Sequence, residues 1–222
     1  MTKYFQLIDH TYLKPEATSK EIDKLVAEAL KYKFKTVCVN SYWVEYVAAK
    51  LKGSSVGITC VVGFPLGASL PQVKAYEASE AIALGASEID MVMNIGAFKE
   101  QHYDTVVNNI MTVKKTCGSK ILKVIIETAL LTDQEIALAT ELVVKSGADF
   151  VKTSTGFSSR GAQLKDIQIM AAATKGQIAI KAAGGISSLA DLEQMYQAGA
   201  TRFGTSKSVH IFENTQADKN AY

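Results

Sequence analysis

The sequence predicts an α/β fold, a single (β/α)8 TIM barrel. Three observations lead to this prediction. Eight short β-type segments recur along the 222 residues, and most of them are followed by a helical apolar periodicity. They are spaced by roughly 20–35 residues, as in βα units. No Pro- or Gly-rich linker divides the chain, so we expect one domain over residues 1–222, ending in a polar, mobile tail from about residue 213.

The predicted strands coincide with short apolar or β-branched runs. In chain order they cover residues 6–11, 36–40, 56–62, 88–94, 121–127, 150–154, 178–182 and 202–205. Side chains alternate between the two faces of a strand. The alternation turns Asp90, Lys152 and Lys181 toward the barrel interior. By the same parity, Lys123 and Glu127 face inward and are interpreted as a polar pair of the core.

Local signals mark where the helices begin. Thr18 with Glu21, and Thr132 with Glu135, have the spacing of a capping box at a helix N-terminus. The first box is followed by apolar residues on one helical face, namely Ile22, Leu25, Val26 and Ala29. We expect a helix after each box.

Glycines mark the ends of three helices and reveal a weak internal repeat. Each follows an apolar helical run and precedes an Ala and a strand, at Gly85, Gly147 and Gly199. The fifth residue after each glycine is Asp90, Lys152 or Gly204. The equal spacing predicts that these three residues lie at a similar height on neighbouring strands, at the C-terminal face where barrel enzymes bind substrates.

Composition excludes several classes of function. The net charge is +2 with acids and bases intermixed, which disfavours a nucleic-acid or membrane partner. The three cysteines and three histidines are isolated from one another, so neither a metal site nor a disulfide framework is expected. No signal peptide or membrane-spanning run is visible, and we expect a cytoplasmic protein.

Lys152 is the candidate nucleophile, because a lysine forms a Schiff base only as the neutral amine. Its ordinary pKa of about 10.4 must therefore be lowered, by apolar surroundings or a neighbouring cation. Phe150 and Val151 are expected to supply an apolar flank, and Lys181 the cation. Asp90 is expected to balance Lys181 and to relay protons through a water molecule.

A glycine-rich turn follows each of the last three predicted strands, and such turns are typical of phosphate-binding sites. They contain Thr155 and Gly156, then Gly184 and Gly185, then Gly204 and Ser206. Backbone N–H groups in such turns bind phosphate, and barrels often use the turns after strands 7 and 8. We expect Ser187 and Ser188 to cap the helix that follows Gly185.

The chain resembles the short bacterial type of the deoxyribose-phosphate aldolase family over nearly its whole length. The matching segments are IDHTYLKP (8–15), VCVN (37–40), GFPLG (63–67), EIDMVMNIG (88–96), KVIIET (123–128), ADFVKTSTGF (148–157) and KAAGGI (181–186). This family cleaves 2-deoxy-D-ribose 5-phosphate reversibly to acetaldehyde and D-glyceraldehyde 3-phosphate. The resemblance therefore implies a (β/α)8 aldolase that needs no metal and no organic cofactor.

The resemblance also implies roles for individual residues. Lys152 corresponds to the Schiff-base lysine, Lys181 to a second active-site lysine and Asp90 to a proton-relay aspartate. Asp9 corresponds to an acid that lines the sugar site. Tyr222 corresponds to a terminal tyrosine that assists proton transfer at the enamine carbon. The family's phosphate-binding positions fall on Gly156, Gly184, Gly185 and Ser206.

The chain departs from the family pattern at Lys207, where many members have serine, and at Ser158–Ser159–Arg160, where they have Ala or Gly. Three other interpretations stay open at this point. They are a lysine Schiff-base lyase for another phosphorylated sugar, a sugar-phosphate binding barrel without catalysis, and a metal-dependent aldolase, against which the scattered histidines argue. Barrels of this size often pair, so a homodimer is a candidate assembly.

Overall fold

The computed structural model describes residues 2–213. Their strands are β1 Ile8–Thr11, β2 Thr36–Val39, β3 Gly57–Val62, β4 Glu88–Val92, β5 Ile121–Ile125, β6 Phe150–Lys152, β7 Ala179–Ala183 and β8 Arg202–Thr205. All eight are parallel, and β8 pairs with β1 to close a barrel. The predicted (β/α)8 fold is thus confirmed. That residues 1–222 form one domain stays a prediction, and residues 214–222 of the predicted tail lie outside the described part of the chain.

Helices follow the strands around the outside of the barrel. The α-helices are α1 Ser19–Tyr32, α2 Val44–Leu51, α3 Pro71–Ala83, α4 Ile95–Lys99, α5 Tyr103–Cys117, α6 Asp133–Lys145, α7 Leu164–Thr174, α8 Leu189–Gln197 and α9 Ser208–Glu213. Short 3-10 helices cover Thr2–Leu7, Ser41–Trp43 and Thr128–Leu130. Each strand is therefore followed by at least one helix before the next strand begins.

The predicted first strand starts too early, because Gln6 and Leu7 belong to the N-terminal 3-10 helix. The Phe5 ring of this helix packs edge-on against Phe212 of α9, with 4.8 Å between ring centroids. The ladders of β1 begin only at Ile8. Aromatic packing, rather than strand pairing, therefore holds the segment that precedes β1.

Predicted strands 4 and 5 run past the observed ends of β4 and β5. Asn94 leaves the sheet to cap α4, where its side chain accepts a hydrogen bond from the Ala97 N–H at 3.1 Å. Glu127 adopts a left-handed backbone with φ of 55°, which no strand accommodates. The chain therefore turns into loops at the C-terminal ends of these strands, on the face where the site residues collect.

The predicted helix signals are confirmed. Glu21 accepts a hydrogen bond from the Thr18 N–H at 2.9 Å, and Thr132 Oγ1 accepts one from the Glu135 N–H at 3.3 Å. The four predicted apolar positions of α1 are all buried. Left-handed backbone follows three helices at the predicted glycines, with φ of 116° at Gly85, 75° at Gly147 and 119° at Gly199. These caps return the chain to the next strand.

Inward-facing side chains form layers in which alternate strands contribute one residue each. Asp90 pairs in register with Lys123, and Lys123 with Phe150. The strands are tilted relative to the barrel axis, so register partners do not lie at the same height. The β6 residue at the height of Asp90 is therefore Lys152, two positions beyond Phe150. The same step leads from Lys152 to Gly204 on β8. The equal height is thus confirmed, but the three residues lie on alternate strands rather than on neighbouring ones.

The main apolar core lies between the outer faces of the strands and the helices. A second, smaller cluster of Leu13, Cys38 and Val61, with Phe64 packed against it, lies apart from that core. No helix within residues 2–213 is long and apolar enough to cross a membrane. The described residues likewise contain no group of three His, Cys, Asp or Glu side chains arranged to hold a metal ion.

Candidate active site

Charged side chains fill the centre of the barrel. Within residues 2–213, the interior network contains three carboxylates and four basic groups, all at most 5% exposed, from Asp9, Glu88, Asp90, Lys123, Lys152, Lys181 and Arg202. Buried charges are tolerated only when they are paired and hydrogen-bonded. Here every one of them has an ionic partner within the network.

Lys152, Lys181 and Asp90 meet at one point. Lys152 and Lys181 are register partners on β6 and β7. Their Nζ atoms lie 2.8 Å and 2.7 Å from the same carboxylate oxygen, Asp90 Oδ2. The structure therefore brings three of the four predicted catalytic residues together, with both amines on one side of the sheet.

The two lysines are nevertheless electrostatically different. Burial lowers the pKa of Lys152, Asp90 opposes this effect and Lys181 adds to it. Burial also disfavours the charge of Lys181, but Asp9 and Asp90 outweigh it and raise the pKa of Lys181. The reason is that Lys181 contacts two carboxylates and Lys152 only one. Lys181 is therefore the charged amine and Lys152 the one that loses its proton more easily.

Asp90 stays ionised between these amines. Burial opposes its charge, but Lys123, Lys152 and Lys181 hold the pKa of Asp90 well below its usual range. Its other oxygen, Oδ1, accepts a hydrogen bond from Lys123 Nζ at 2.8 Å. An ionised Asp90 can accept a proton from a substrate or from a water molecule beside Lys152.

The charges of the interior also favour a neutral Lys152. With every group charged, the network described above would carry one excess positive charge. A buried, uncompensated charge is costly, whereas a neutral Lys152 leaves three basic groups facing three carboxylates. The contacts of the two lysines and the charge balance of the interior thus both identify Lys152 as the amine that is more easily neutral.

An open cavity of about 390 Å³ lies directly above Lys152. Its lining includes six residues predicted for substrate or phosphate binding, namely Thr155, Gly156, Gly184, Gly185, Gly204 and Ser206. Lys207, the departure from the family pattern, also lines it. Lys152 is therefore positioned between the charged interior and a space bounded by glycine-rich turns.

Asp9, predicted to line the sugar site, does not line this cavity. It is fully buried and bonds to Lys181 and to Arg202, the latter with an O–N distance of 2.6 Å. The positive charges around it outweigh burial and lower the pKa of Asp9. In this structure Asp9 therefore acts on the site through Lys181. Tyr222 lies outside the described residues.

The turn after β7 owes its shape to two glycines. Gly184 and Gly185 have φ of 69° and 72°, the left-handed region that favours glycine. Ser188 Oγ caps α8 behind this turn by accepting the Asp191 N–H at 3.1 Å, as predicted, whereas the Ser187 hydroxyl donates to the Asp191 carboxylate at 2.8 Å. The turn thus leads from the Lys181 strand into a helix N-terminus, a favourable place for an anion.

Gly204 has a different reason to be glycine. A Cβ at this position on β8 would lie 3.0 Å from Lys181 Cε. Since Lys181 must reach Asp9 and Asp90 from the neighbouring strand, the missing side chain of Gly204 leaves it the room to do so. This contact connects the last glycine turn with the lysine pair.

The apolar flank predicted from Phe150 and Val151 is not where it was expected. Val151 faces the outer core, and the Phe150 ring lies beneath the Arg202 guanidinium, 5.5 Å from ring centroid to Cζ. The apolar surroundings come instead from the small cluster of Leu13, after β1, with Cys38 on β2 and Val61 on β3, and Leu13 lines the cavity with Lys152. Sequence neighbours on a strand face opposite sides, so they rarely surround the same atom.

Comparison with known protein families decides the chain's relationship. The sequence profile of the DeoC/LacD family aldolases matches residues 3–207. The chain belongs to the DeoC/LacD aldolase family. Relatives of this DeoC/LacD aldolase are similar over nearly the full length. The deoxyribose-phosphate aldolase of Mycoplasmopsis synoviae (strain 53) is 58% identical over 216 residues, 96% of this chain and 97% of the relative. That of Lysinibacillus sphaericus (strain C3-41) is 50% identical over 218 residues, 98% of each chain.

Solved structures also resemble this DeoC/LacD aldolase. A putative deoxyribose-phosphate aldolase from Coccidioides immitis superposes with a TM-score of 0.94 at 42% identity, covering 96% of this chain and 85% of the other. The deoxyribose phosphate aldolase from Aeropyrum pernix, described as having a unique tetrameric structure, gives 0.89 at 30% identity and covers 96% and 91%.

The contacts of Lys123 in the barrel interior of this DeoC/LacD aldolase were not predicted from the sequence. Lys123 was predicted to pair with Glu127. It instead contacts Glu88 at 2.5 Å and Asp90 at 2.8 Å. Glu127 instead accepts hydrogen bonds from the Thr155 N–H and hydroxyl groups. Strand parity offered a signal, since Glu88 lies two residues before Asp90 on the same inward face.

Arg202 was also missed. It contacts Asp9 at 2.6 Å and Glu88 at 2.8 Å, and thereby joins β8 to β1 and β4 across the barrel. Of the described buried side-chain polar atoms, Ser154 Oγ is the one without a hydrogen-bond partner. Every charged side chain of the interior of this DeoC/LacD aldolase thus has at least one hydrogen-bond partner, which favours one fixed arrangement of the lysine pair.

Proposed function

We propose that this chain is a deoxyribose-phosphate aldolase, which cleaves 2-deoxy-D-ribose 5-phosphate reversibly to acetaldehyde and D-glyceraldehyde 3-phosphate. The observation that carries the proposal is Lys152, a buried lysine with a lowered pKa at the floor of a cavity bounded by glycine turns. The names of its relatives support the same substrate. Catalysis proceeds through a Schiff base on Lys152.

The chemistry begins with the neutral amine of Lys152, which attacks the aldehyde carbon C1 of the open-chain sugar and expels water. The resulting iminium accepts the electron pair of the C2–C3 bond as that bond breaks and the C3 hydroxyl loses its proton. A neutral enamine forms, where a plain carbonyl would leave a costly enolate. Protonation at C2 and hydrolysis then release acetaldehyde and the free lysine.

The proton transfers are assigned to Asp90, acting through a water molecule, with Lys181 as its charged partner. Asp90 is ionised and lies 2.8 Å from Lys152 Nζ, so it can accept the proton that the C3 hydroxyl loses. Asp9 holds Lys181 in place. Tyr222, assigned by the family resemblance, adds a proton at the enamine carbon.

The phosphate of the substrate binds at the turns after β6, β7 and β8. Gly156, Gly184, Gly185 and Ser206 line this part of the cavity, with Thr155 and Gly204 beside them. Lys207 supplies a positive charge in place of a hydroxyl. The phosphate lies remote from the breaking bond, so its binding energy holds the sugar in position for reaction.

Trapping of the covalent intermediate tests the proposal. Incubation with acetaldehyde and borohydride should place a reduced adduct on Lys152, mapped by mass spectrometry, and Lys152→Ala should lose both the adduct and more than about a thousand-fold in turnover. Cleavage of deoxyribose 5-phosphate should far exceed that of fructose 1,6-bisphosphate. An adduct on another residue, or none, contradicts the mechanism. Faster cleavage of another sugar phosphate contradicts the substrate.

We also propose a homodimer that pairs through the α3 patch, defined as Leu66, Leu70, Val73 and Tyr76. These side chains are 76%, 68%, 53% and 67% exposed, a cluster typical of an interaction site. The Aeropyrum pernix relative is an oligomer.

Light scattering should give twice the chain mass for the wild type, and Val73→Asp should reduce the measured mass to that of one chain. Met111→Asp, on α5 and 49% exposed, is the matched control. A monomeric wild type contradicts this proposal.

A cytoplasmic location completes the proposal. The cysteines at positions 38, 60 and 117 are free and buried, as is usual in a reducing compartment. Cell fractionation should recover the aldolase activity with cytoplasmic markers, and recovery with secreted protein contradicts the location.

A further inference from the structure

Arg160 lines the cavity beside the glycine turns. Arginine next to a phosphate site is commonly a direct ligand, because its planar fork matches a phosphate. The hydrogen bonds of Arg160 point to another role. They go to Thr128 and Asp166, which do not line the cavity, and to the backbone of Gly161, which does.

The guanidinium group is already committed within the protein. Nη1 donates to Asp166 Oδ2 at 2.6 Å and to the Gly161 carbonyl at 3.0 Å. Nη2 donates to the Thr128 carbonyl at 3.0 Å and to Asp166 Oδ1 at 3.1 Å. These four bonds use the N–H groups of both terminal nitrogens, and the carboxylate of Asp166 neutralises the charge. A phosphate could make two hydrogen bonds to the fork of Arg160 only by displacing at least one of these partners.

Arg160 thereby joins three segments through a single side chain. Thr128 belongs to the connection between β5 and α6, Gly161 to the long loop after β6, and Asp166 to the first turn of α7. Asp166 is only 2% exposed and also accepts the Thr128 hydroxyl at 2.9 Å. The Arg160 fork is therefore the centre of this junction.

The junction is in direct contact with the turn after β7. The Gly161 backbone packs so closely on Gly184 and Gly185 that a Cβ at Gly161 would clash with their backbone. The Ala162 N–H donates to the carbonyls of Ala183 at 3.1 Å and Gly184 at 3.2 Å. A displacement of Gly161 therefore moves the Gly184–Gly185 turn, which is placed at the phosphate in the function proposed above.

We propose that Arg160 is a positioning residue, which sets the phosphate-binding turn at Gly184–Gly185 through Gly161 and does not itself bind the phosphate. The inference rests on the proposed function, because it assumes that this turn receives the substrate phosphate. Loss of Arg160 weakens phosphate recognition and leaves the lysine chemistry intact. Arg160→Lys is no rescue, since one ammonium group cannot make four divergent hydrogen bonds.

The test compares the phosphorylated sugar with 2-deoxyribose, which lacks the phosphate. Arg160→Ala and Arg160→Lys should each raise the KM for deoxyribose 5-phosphate and the inhibition constant of inorganic phosphate by about ten-fold, the equivalent of roughly one hydrogen bond. The kcat/KM for 2-deoxyribose should stay within about two-fold. Lys165→Ala, which removes an exposed positive charge from α7 beside Asp166, is the matched control and should leave all three constants unchanged.

Gly161→Ala provides a second route to the same turn, because it retains Arg160 and disturbs the Gly161–Gly184 contact. It should also raise both phosphate constants, and it keeps the test decisive if Arg160→Ala does not fold. Near-normal constants for Arg160→Lys, with a loss only in Arg160→Ala, would show a direct ligand and overturn the proposal. Unchanged phosphate inhibition in all variants would overturn it too. A wild type that does not prefer the phosphorylated sugar refutes the proposed function instead.

Discussion

At the scale of single residues, the distinction between two neighbouring lysines decides the chemistry. Lys152 and Lys181 share Asp90 Oδ2, but only Lys181 also contacts Asp9. The additional carboxylate keeps Lys181 charged, and its charge in turn disfavours protonation of Lys152. In the proposed mechanism, the amine that opens onto the cavity is therefore the nucleophile.

Replacement of Lys181 should shift the pH dependence of the reaction. In the proposed mechanism only the unprotonated Lys152 attacks the substrate, so we expect kcat/KM to fall as the pH drops below the pKa of Lys152. Lys181 contributes to the lowering of that pKa, so Lys181→Leu should raise it and move the acid limb of the kcat/KM profile to higher pH.

Lys99→Leu is the matched control, because it removes a lysine from a half-exposed surface pair with Glu135 and should not move the profile. An acid limb at the wild-type pH in Lys181→Leu would show that Lys181 does not tune Lys152.

At the scale of elements, the packing of strand on strand places the lysine side chains. β7 and β8 lie side by side with Lys181 opposite Arg202 and Ala183 opposite Gly204. Because Gly204 has no side chain, Lys181 can extend past β8 toward β1 and β4. The position of Lys181 thus depends on the missing side chain of Gly204.

Gly204→Ala should displace Lys181, because the added methyl group would lie 3.0 Å from Lys181 Cε. We expect turnover to fall about ten- to a hundred-fold and the free energy of unfolding to fall by about 1–3 kcal/mol. Steady-state kinetics and denaturant unfolding measure the two effects.

Gly96→Ala, in α4, is the control for this substitution. The nearest atom to its added Cβ would be Asn94 Oδ1 at 3.6 Å, an ordinary contact, and the backbone φ is not positive. It should retain wild-type turnover. Wild-type turnover in Gly204→Ala as well would show that Lys181 does not need the space.

At the scale of the whole molecule, the barrel is held together by its charges as well as by its apolar core. Arg202 on β8 contacts carboxylates on β1 and β4, and Lys123 on β5 contacts carboxylates on β4 and β1. The interior that prepares Lys152 therefore also closes the sheet. Its stability should depend on charge balance rather than on the number of ion pairs.

Two substitutions, one of an acidic residue and one of a basic residue, test this dependence. Asp90→Asn leaves four basic groups facing two carboxylates within the described interior, and should lower the free energy of unfolding by about 3–5 kcal/mol. Lys152→Met leaves three facing three, and should change it by less than about 1.5 kcal/mol. Urea unfolding monitored by circular dichroism measures both values, and equal losses would contradict the charge-balance account.

Much of this molecule could be predicted from patterns that extend over a few residues. Strand alternation placed Asp90, Lys152 and Lys181 on the inward face, and the repeat after each helix-ending glycine placed Asp90 and Lys152 at one height. The glycine turns and the capping boxes were likewise predicted from patterns of a few consecutive residues. These features follow from backbone geometry and side-chain size, which the sequence by itself determines.

The partners of those residues were decided only by the tertiary structure. Lys123 pairs with Asp90 and Glu88 rather than with Glu127, Arg202 reaches Asp9 from 193 positions along the chain, and the apolar wall near Lys152 comes from β1 to β3 rather than from its own strand. Such contacts depend on the tilt and stagger with which the sheet closes. That closure is a property of all eight strands together, so no local pattern encodes it.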